Sequence, residues 1–191
     1  LYITLTSLIL GWTDFYILSF FENDQNLAIY SLASKLSQVI LMPVSAISIF
    51  FANIVVESYQ NKEFGLLSKT LKKITRWLLI SSVSIFILIN IFSDHFFELF
   101  GKEFTGGKLI LFSLSTAYMI SAIFGAYETV LLMSDSKDKL LKINILTIIV
   151  NSAFALILGY YFKGPGVCIG LLISISINRY LQKISVNKYL C

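Results

Sequence analysis

Charge is nearly absent from six long stretches of this chain, and the connections between them alternate between Lys-rich and acid-balanced. The apolar stretches cover roughly 1–21, 27–56, 77–93, 109–133, 143–162 and 167–185. Each is close to, or longer than, the ~20 residues with which a helix crosses a bilayer. The expectation is an all-α, polytopic bundle of six transmembrane helices, with residues 1–191 forming a single lobe.

The connections supply an orientation. Lys62, Lys69, Lys72, Lys73 and Arg76 fall in the second, Lys137, Lys139 and Lys142 in the fourth, and Arg179, Lys183 and Lys188 at the tail. These make eleven of the fifteen Lys and Arg residues. The first, third and fifth connections hold only Lys102, Lys108 and Lys163. Cytoplasmic loops keep the positive charge, so the richer side and the C-terminus are expected in the cytoplasm.

Composition excludes several alternatives. The chain is 57% hydrophobic and 14% charged, whereas soluble domains are about half apolar and about a quarter charged. Six crossings and short loops use nearly all of its 191 residues, leaving no room for a soluble domain. The net charge of +4 gathers at membrane edges, which argues against nucleic acid as a partner and for membrane lipids. Cys168 and Cys191 have neither metal-ligand nor redox-motif spacing. Position 1 is Leu, inside an apolar segment without a charged flank; the expectation is a fragment that lacks an upstream portion.

Between the second and third stretches, Phe64, Leu67, Leu71, Ile74 and Leu78 recur at steps of three and four, with the cations opposite. This pattern predicts an amphipathic helix over about 62–76 lying in the cytoplasmic interface. The stretch 27–56 spans roughly 45 Å as a helix, more than a bilayer core needs. Pro43 within it removes a helix hydrogen bond and is the expected hinge.

Polar residues inside apolar helices mark faces that meet protein or water. Ser31, Ser34, Lys35, Gln38 and Ser45 share one face of the second stretch. Asn144, Thr147 and Asn151 line up on the fifth. Ser113, Ala117, Ser121, Gly125 and Thr129 on the fourth, and Gly166, Gly170, Ser174 and Asn178 on the sixth, read as close-packing seams.

Three ionisable residues are embedded: Asp14, Lys35 and Glu128. Asp14 and Lys35 lie at matching depth, roughly 12 Å below the first turn at helical rise. Two readings stand for them. One is a mutually neutralising bridge. The other is a hydrated cavity in which Lys35, with Ser31, Ser34 and Gln38, meets an anionic substrate and Asp14 serves as counter-ion or proton acceptor. Asp14 and Glu128 are the candidates for ion coupling. Arg179 is expected to snorkel to the cytoplasmic edge. His95 has no carboxylate pattern around it, and the Ser134–Lys137 string lacks the companion motifs of a penicilloyl-serine site. No catalytic constellation, metal set or cofactor motif is present in the sequence, so the expectation is a non-enzyme with no cofactor.

The order of features resembles a known family. The carriers are Gly11-Trp12-Thr13-Asp14-Phe15-Tyr16-Ile17-Leu18, then Ala28-Ile29-Tyr30-Ser31-Leu32-Ala33-Ser34-Lys35-Leu36 followed by Pro43. Glu98-Leu99-Phe100-Gly101-Lys102-Glu103-Phe104 and Gly164-Pro165-Gly166-Val167 complete the set. Together they resemble the C-terminal half of polysaccharide (O-antigen, repeat-unit) flippases of the multidrug/oligosaccharidyl-lipid/polysaccharide exporter superfamily. The resemblance implies two six-helix lobes around a central cavity in the bacterial cytoplasmic membrane. It implies polyprenyl-pyrophosphate-linked oligosaccharide as cargo, alternating access as mechanism, and an N-terminal lobe and polysaccharide assembly machinery as partners. A multidrug–cation antiporter of the same superfamily is the alternative, resting on Asp14 or Glu128. A membrane glycan polymerase or ligase would need a sizeable external loop bearing Arg or His, and the longest here is about 94–108. A non-transporting scaffold is the remaining reading.

Overall fold

The computed structural model describes residues 2–190, and every regular element among them is helical. α1 runs Tyr2–Ser19, α2 Asp24–Gln38, α3 Met42–Gln60, α4 Phe64–Ile91, α5 Ser93–Phe100, α6 Lys108–Ile123, α7 Gly125–Met133 and α8 Lys137–Leu190. Single stretches of 3-10 helix occupy Val39–Leu41 and Lys102–Gly107. Among the described residues, Asp24–Gln60, Phe64–Ile91 and Lys137–Lys188 are long and apolar enough to cross a membrane, and the bent α6–α7 pair makes a fourth. The outer faces carry exposed Ile49, Phe50, Ile149 and Ile157, the surface a lipid-embedded protein presents. Exposed Tyr160 and Tyr161 at one end and Trp77 and Tyr180 toward the other suit the two membrane–water interfaces.

α2 begins three residues earlier than hydrophobicity predicts, because Asn23 caps it. The Asn23 Oδ1 accepts the backbone N–H of Asn26 at 3.0 Å, and Asp24 in the first turn complements the helix dipole. The long second stretch is interrupted at Val39–Leu41, where Met42 N–H turns back to the Val39 carbonyl. Pro43 lies in the first turn of α3. Its missing N–H and its ring exclude the ordinary bond to the carbonyl four residues back, which accounts for the tightened turn.

A second break was not expected. α6 and α7 meet at Phe124 with a bend of 46°. Gly125 is buried there, and a Cβ on it would come within 2.6 Å of the Val44 side chain. The two broken helices therefore touch at their breaks. Below that level Thr129 Oγ1 donates to Ser48 Oγ at 3.2 Å, joining α7 to α3.

The segment 62–76 does not lie flat as a separate helix. α4 continues unbroken for 28 residues, roughly 42 Å at helical rise. Leu67, Leu71 and Leu78 are buried along it while Lys69, Lys72, Lys73 and Arg76 are exposed. The amphipathic pattern is real, but its apolar face packs on the bundle rather than on lipid.

α8 folds back on itself at Lys163, whose φ of 53° and ψ of −133° are not helical. Contacts step away from that turn in register. Gly166 meets Leu158, Gly170 meets Ala155, and Asn178 Nδ2 donates to Thr147 Oγ1 at 2.7 Å. The arms 137–162 and 164–190 are thus an antiparallel hairpin, and the small-residue stripe of the second arm is its seam. The Glu22 carboxylate fastens the turn by accepting Gly164 N–H at 3.1 Å. Because an L-residue is strained at Lys163, Lys163→Gly is expected to stabilise the fold by about 1 kcal/mol. A rise in the thermal unfolding midpoint of purified protein would register it.

The core lies in two apolar clusters. One gathers Leu18, Tyr30, Ile40, Leu111, Leu114 and Leu171 around α1, α2, α6 and the middle of α8. The other gathers Phe51, Val55, Leu67, Leu71, Val130 and Leu140 around α3, α4, α7 and the ends of α8.

A polar cavity between α1, α2 and α6

A cavity of about 600 Å³ opens between α1, α2, the start of α3 and α6. Asp14, Ser31, Ser34, Lys35 and Gln38 all line it, together with Trp12, Phe15, Tyr30 and Tyr118. The polar face predicted on the second stretch therefore points into one concavity. Ser34 and Gln38 are tied along the helix, with Gln38 Nε2 donating to Ser34 Oγ at 3.2 Å. The Tyr118 ring comes across from α6, with its hydroxyl beside both. Pro43 does not line the cavity, but its neighbours Leu41, Met42 and Ser45 do, so the break shapes one wall.

Asp14 and Lys35 share this space without pairing. Asp14 is 4% exposed, and its Oδ1 accepts Asn151 Nδ2 at 2.6 Å. Lys35 is exposed to the cavity, and neither of the ion pairs Lys108–Asp94 and Arg179–Glu128 involves it or Asp14. The mutually neutralising bridge is thus not formed. The amide of Asn151 supports the carboxyl from behind, and its own Oδ1 is buried with no partner among the described residues. Among the described residues, Lys35 is left without an ion-pair partner and faces an open volume of mixed polar and aromatic lining.

Behind the cavity lies a smaller pocket of about 260 Å³ that shares Gly11, Asp14, Leu41 and Tyr118 with it. Glu128, Arg179, Ser121, Asn144 and Asn178 add polar groups to its lining, beside Leu171 and Ile175. Glu128 belongs here and not with Lys35. Arg179 does not snorkel, contrary to expectation. Its Nη1 donates to Glu128 Oε2 at 2.6 Å and to Gln182 Oε1 at 2.8 Å, while Nη2 reaches Ser121 Oγ at 2.7 Å. A carboxylate and two neutral acceptors inside the bundle satisfy the guanidinium better than a distant headgroup. Asn178 continues the polar layer by donating to Thr147 and by accepting Gln182 Nε2 at 2.7 Å.

Sequence reasoning found the Asn144–Thr147–Asn151 stripe without its purpose, and missed Tyr118 and the inward turn of Arg179. An all-helical fold with helices long and apolar enough to span a membrane, and with an internal polar cavity, is the class that the described residues define. No known protein-family model, curated protein or solved structure matches the chain.

Proposed function

We propose that this chain is one six-helix lobe of an alternating-access flippase that carries lipid-pyrophosphate-linked polysaccharide repeat units across the bacterial cytoplasmic membrane. The six crossings are α1, α2–α3, α4, α6–α7 and the two arms of α8, with the C-terminus in the cytoplasm. The observation that carries the reading is Lys35: an ammonium with no ion-pair partner among the described residues, facing an open cavity from a helix long and apolar enough to cross a membrane. Such a charge is costly in lipid unless it is wetted or meets an anion, and a pyrophosphate supplies one. Ser31, Ser34 and Gln38 beside it suit sugar hydroxyls, and the exposed ring of Trp12 suits their apolar faces. The open side calls for a facing wall, which a second lobe would provide.

A multidrug–cation antiporter is the second reading, and Asp14 favours it. A buried carboxyl at the cavity wall with an amide rather than a cation for partner is suited to exchanging a proton or sodium ion against a cationic drug. Glu128 is less suited, because Arg179 already holds it.

The test is complementation. The lobe, expressed with its partner lobe in cells that lack their own repeat-unit translocase, is expected to restore surface polysaccharide. Failure at normal membrane abundance, accompanied by new efflux of cationic dyes, selects the antiporter instead.

A further inference from the structure

The two helix breaks, the division of the apolar core and the inward Arg179 belong to one arrangement. The apolar clusters meet at the level where α2–α3 and α6–α7 are broken. Between them lies the polar layer, and Arg179 of the second α8 arm reaches both sides of the α6–α7 bend. It holds Ser121 before the bend and Glu128 after it. One turn further along, the Lys183 ammonium sits 5.4 Å from the ring centre of Phe124, the bend residue itself. The bend passes to the other broken helix through the Gly125–Val44 approach and the Thr129–Ser48 bond.

We infer that Arg179 is a positioning residue that sets the α6–α7 bend, and that α3 and α7 swing as one pair about the two breaks when its pairing with Glu128 is released. α4 and the α8 arms cross this level unbroken and form the frame. The swing moves Met42 and Ser45, so the polar layer controls the shape of the cavity without touching its contents. Packed apolar halves favour discrete arrangements over continuous bending, and a polar layer between them is where two arrangements exchange at least cost. This inference stands whatever the cavity carries.

Spin labels on Gln60→Cys at the end of α3 and Asn187→Cys near the end of α8, in a Cys168→Ala, Cys191→Ser background, read the movement in lipid nanodiscs. A swing of about 10° of the roughly 28 Å α3 rod displaces its far end by about 5 Å. The parent is expected to give one distance peak. Glu128→Gln, which keeps the shape and removes the charge, is expected to add a second peak shifted by about that amount. The exchange Glu128→Arg with Arg179→Glu is expected to return the profile to one peak. An unchanged profile in Glu128→Gln, or a second peak that persists in the exchanged pair, overturns the inference. Should the charge variants fail to insert, Ser121→Ala loosens the guanidinium without stranding a charge. It is then expected to give the same second peak at lower weight, and an unchanged profile overturns the inference equally.

Discussion

If the chain carries pyrophosphate-linked cargo as proposed, Lys35→Ala is expected to abolish export while leaving protein abundance in the membrane nearly unchanged. The two halves of that expectation have separate causes. Lys35 has no carboxylate partner among the described residues, so removing it strands no charge and costs the fold little. What is removed is the cation that lines the cavity among the described residues, and with it the proposed attraction for a pyrophosphate. Charge-assisted bonds are roughly twice as strong as neutral ones, and neighbouring hydroxyls do not replace them. Lys35→Arg should retain part of the activity, because the charge persists with altered geometry. Asp14→Ala separates cargo binding from mutual neutralisation. If the two residues acted by neutralising each other, the double variant would regain what each single variant lost. Recovery of export in Asp14→Ala/Lys35→Ala would end the cargo-binding role of Lys35. Continued loss at normal abundance supports it.

Gly166→Ala is expected to have the largest effect on stability. A Cβ at Gly166 would stand 2.1 Å from the Leu158 carbonyl oxygen and 2.5 Å from its carbon. Both are backbone atoms of the opposite arm and cannot move aside as a side chain does. The arms of α8 would have to separate, opening the seam on which Asn178, Thr147 and Ser174 depend. A loss above about 4 kcal/mol follows from forced separation of packed backbones, enough to remove most folded protein. Gly170→Ala meets Ala155 N at 2.9 Å and should be damaging but milder. Gly65→Ala, with nothing within 4 Å, should be neutral. Yields of monodisperse protein and thermal midpoints in detergent measure the order. A Gly166→Ala protein as stable as the Gly65→Ala protein would contradict the hairpin seam.

The parts of this molecule that were legible in the sequence are those governed by local pattern. Runs of apolar residues mark the helices, Pro43 marks the first break, and the spacing of Ser31, Ser34, Lys35 and Gln38 marks the cavity face. What escaped depends on partners far away in the chain. Arg179 could be read as snorkelling because nothing nearby in sequence reveals Glu128, 51 residues before it. The bend at Phe124 escaped because Gly125 is compatible with a straight helix, and only the approach of Val44 gives the glycine its reason. The cationic face of 62–76 was seen, but periodicity does not distinguish an apolar stripe against lipid from one against protein. The structure resolves that ambiguity by burying Leu67 and Leu71 in the bundle.

The Asp14–Asn151 bond also imposes an order on biogenesis. On the six-crossing reading proposed above, Asp14 enters the membrane with α1, while the amide that supports it is encoded 137 residues later. At the ~5–20 residues per second of cellular synthesis, that carboxyl waits roughly 7–30 s before its partner leaves the ribosome. During that interval α1 carries an unsupported polar group, and α8, the helix it packs on most, does not yet exist. On that reading α1 is expected to be sheltered by the insertion machinery or held at the membrane edge until the α8 hairpin arrives, so that this bundle closes from α8 back to α1.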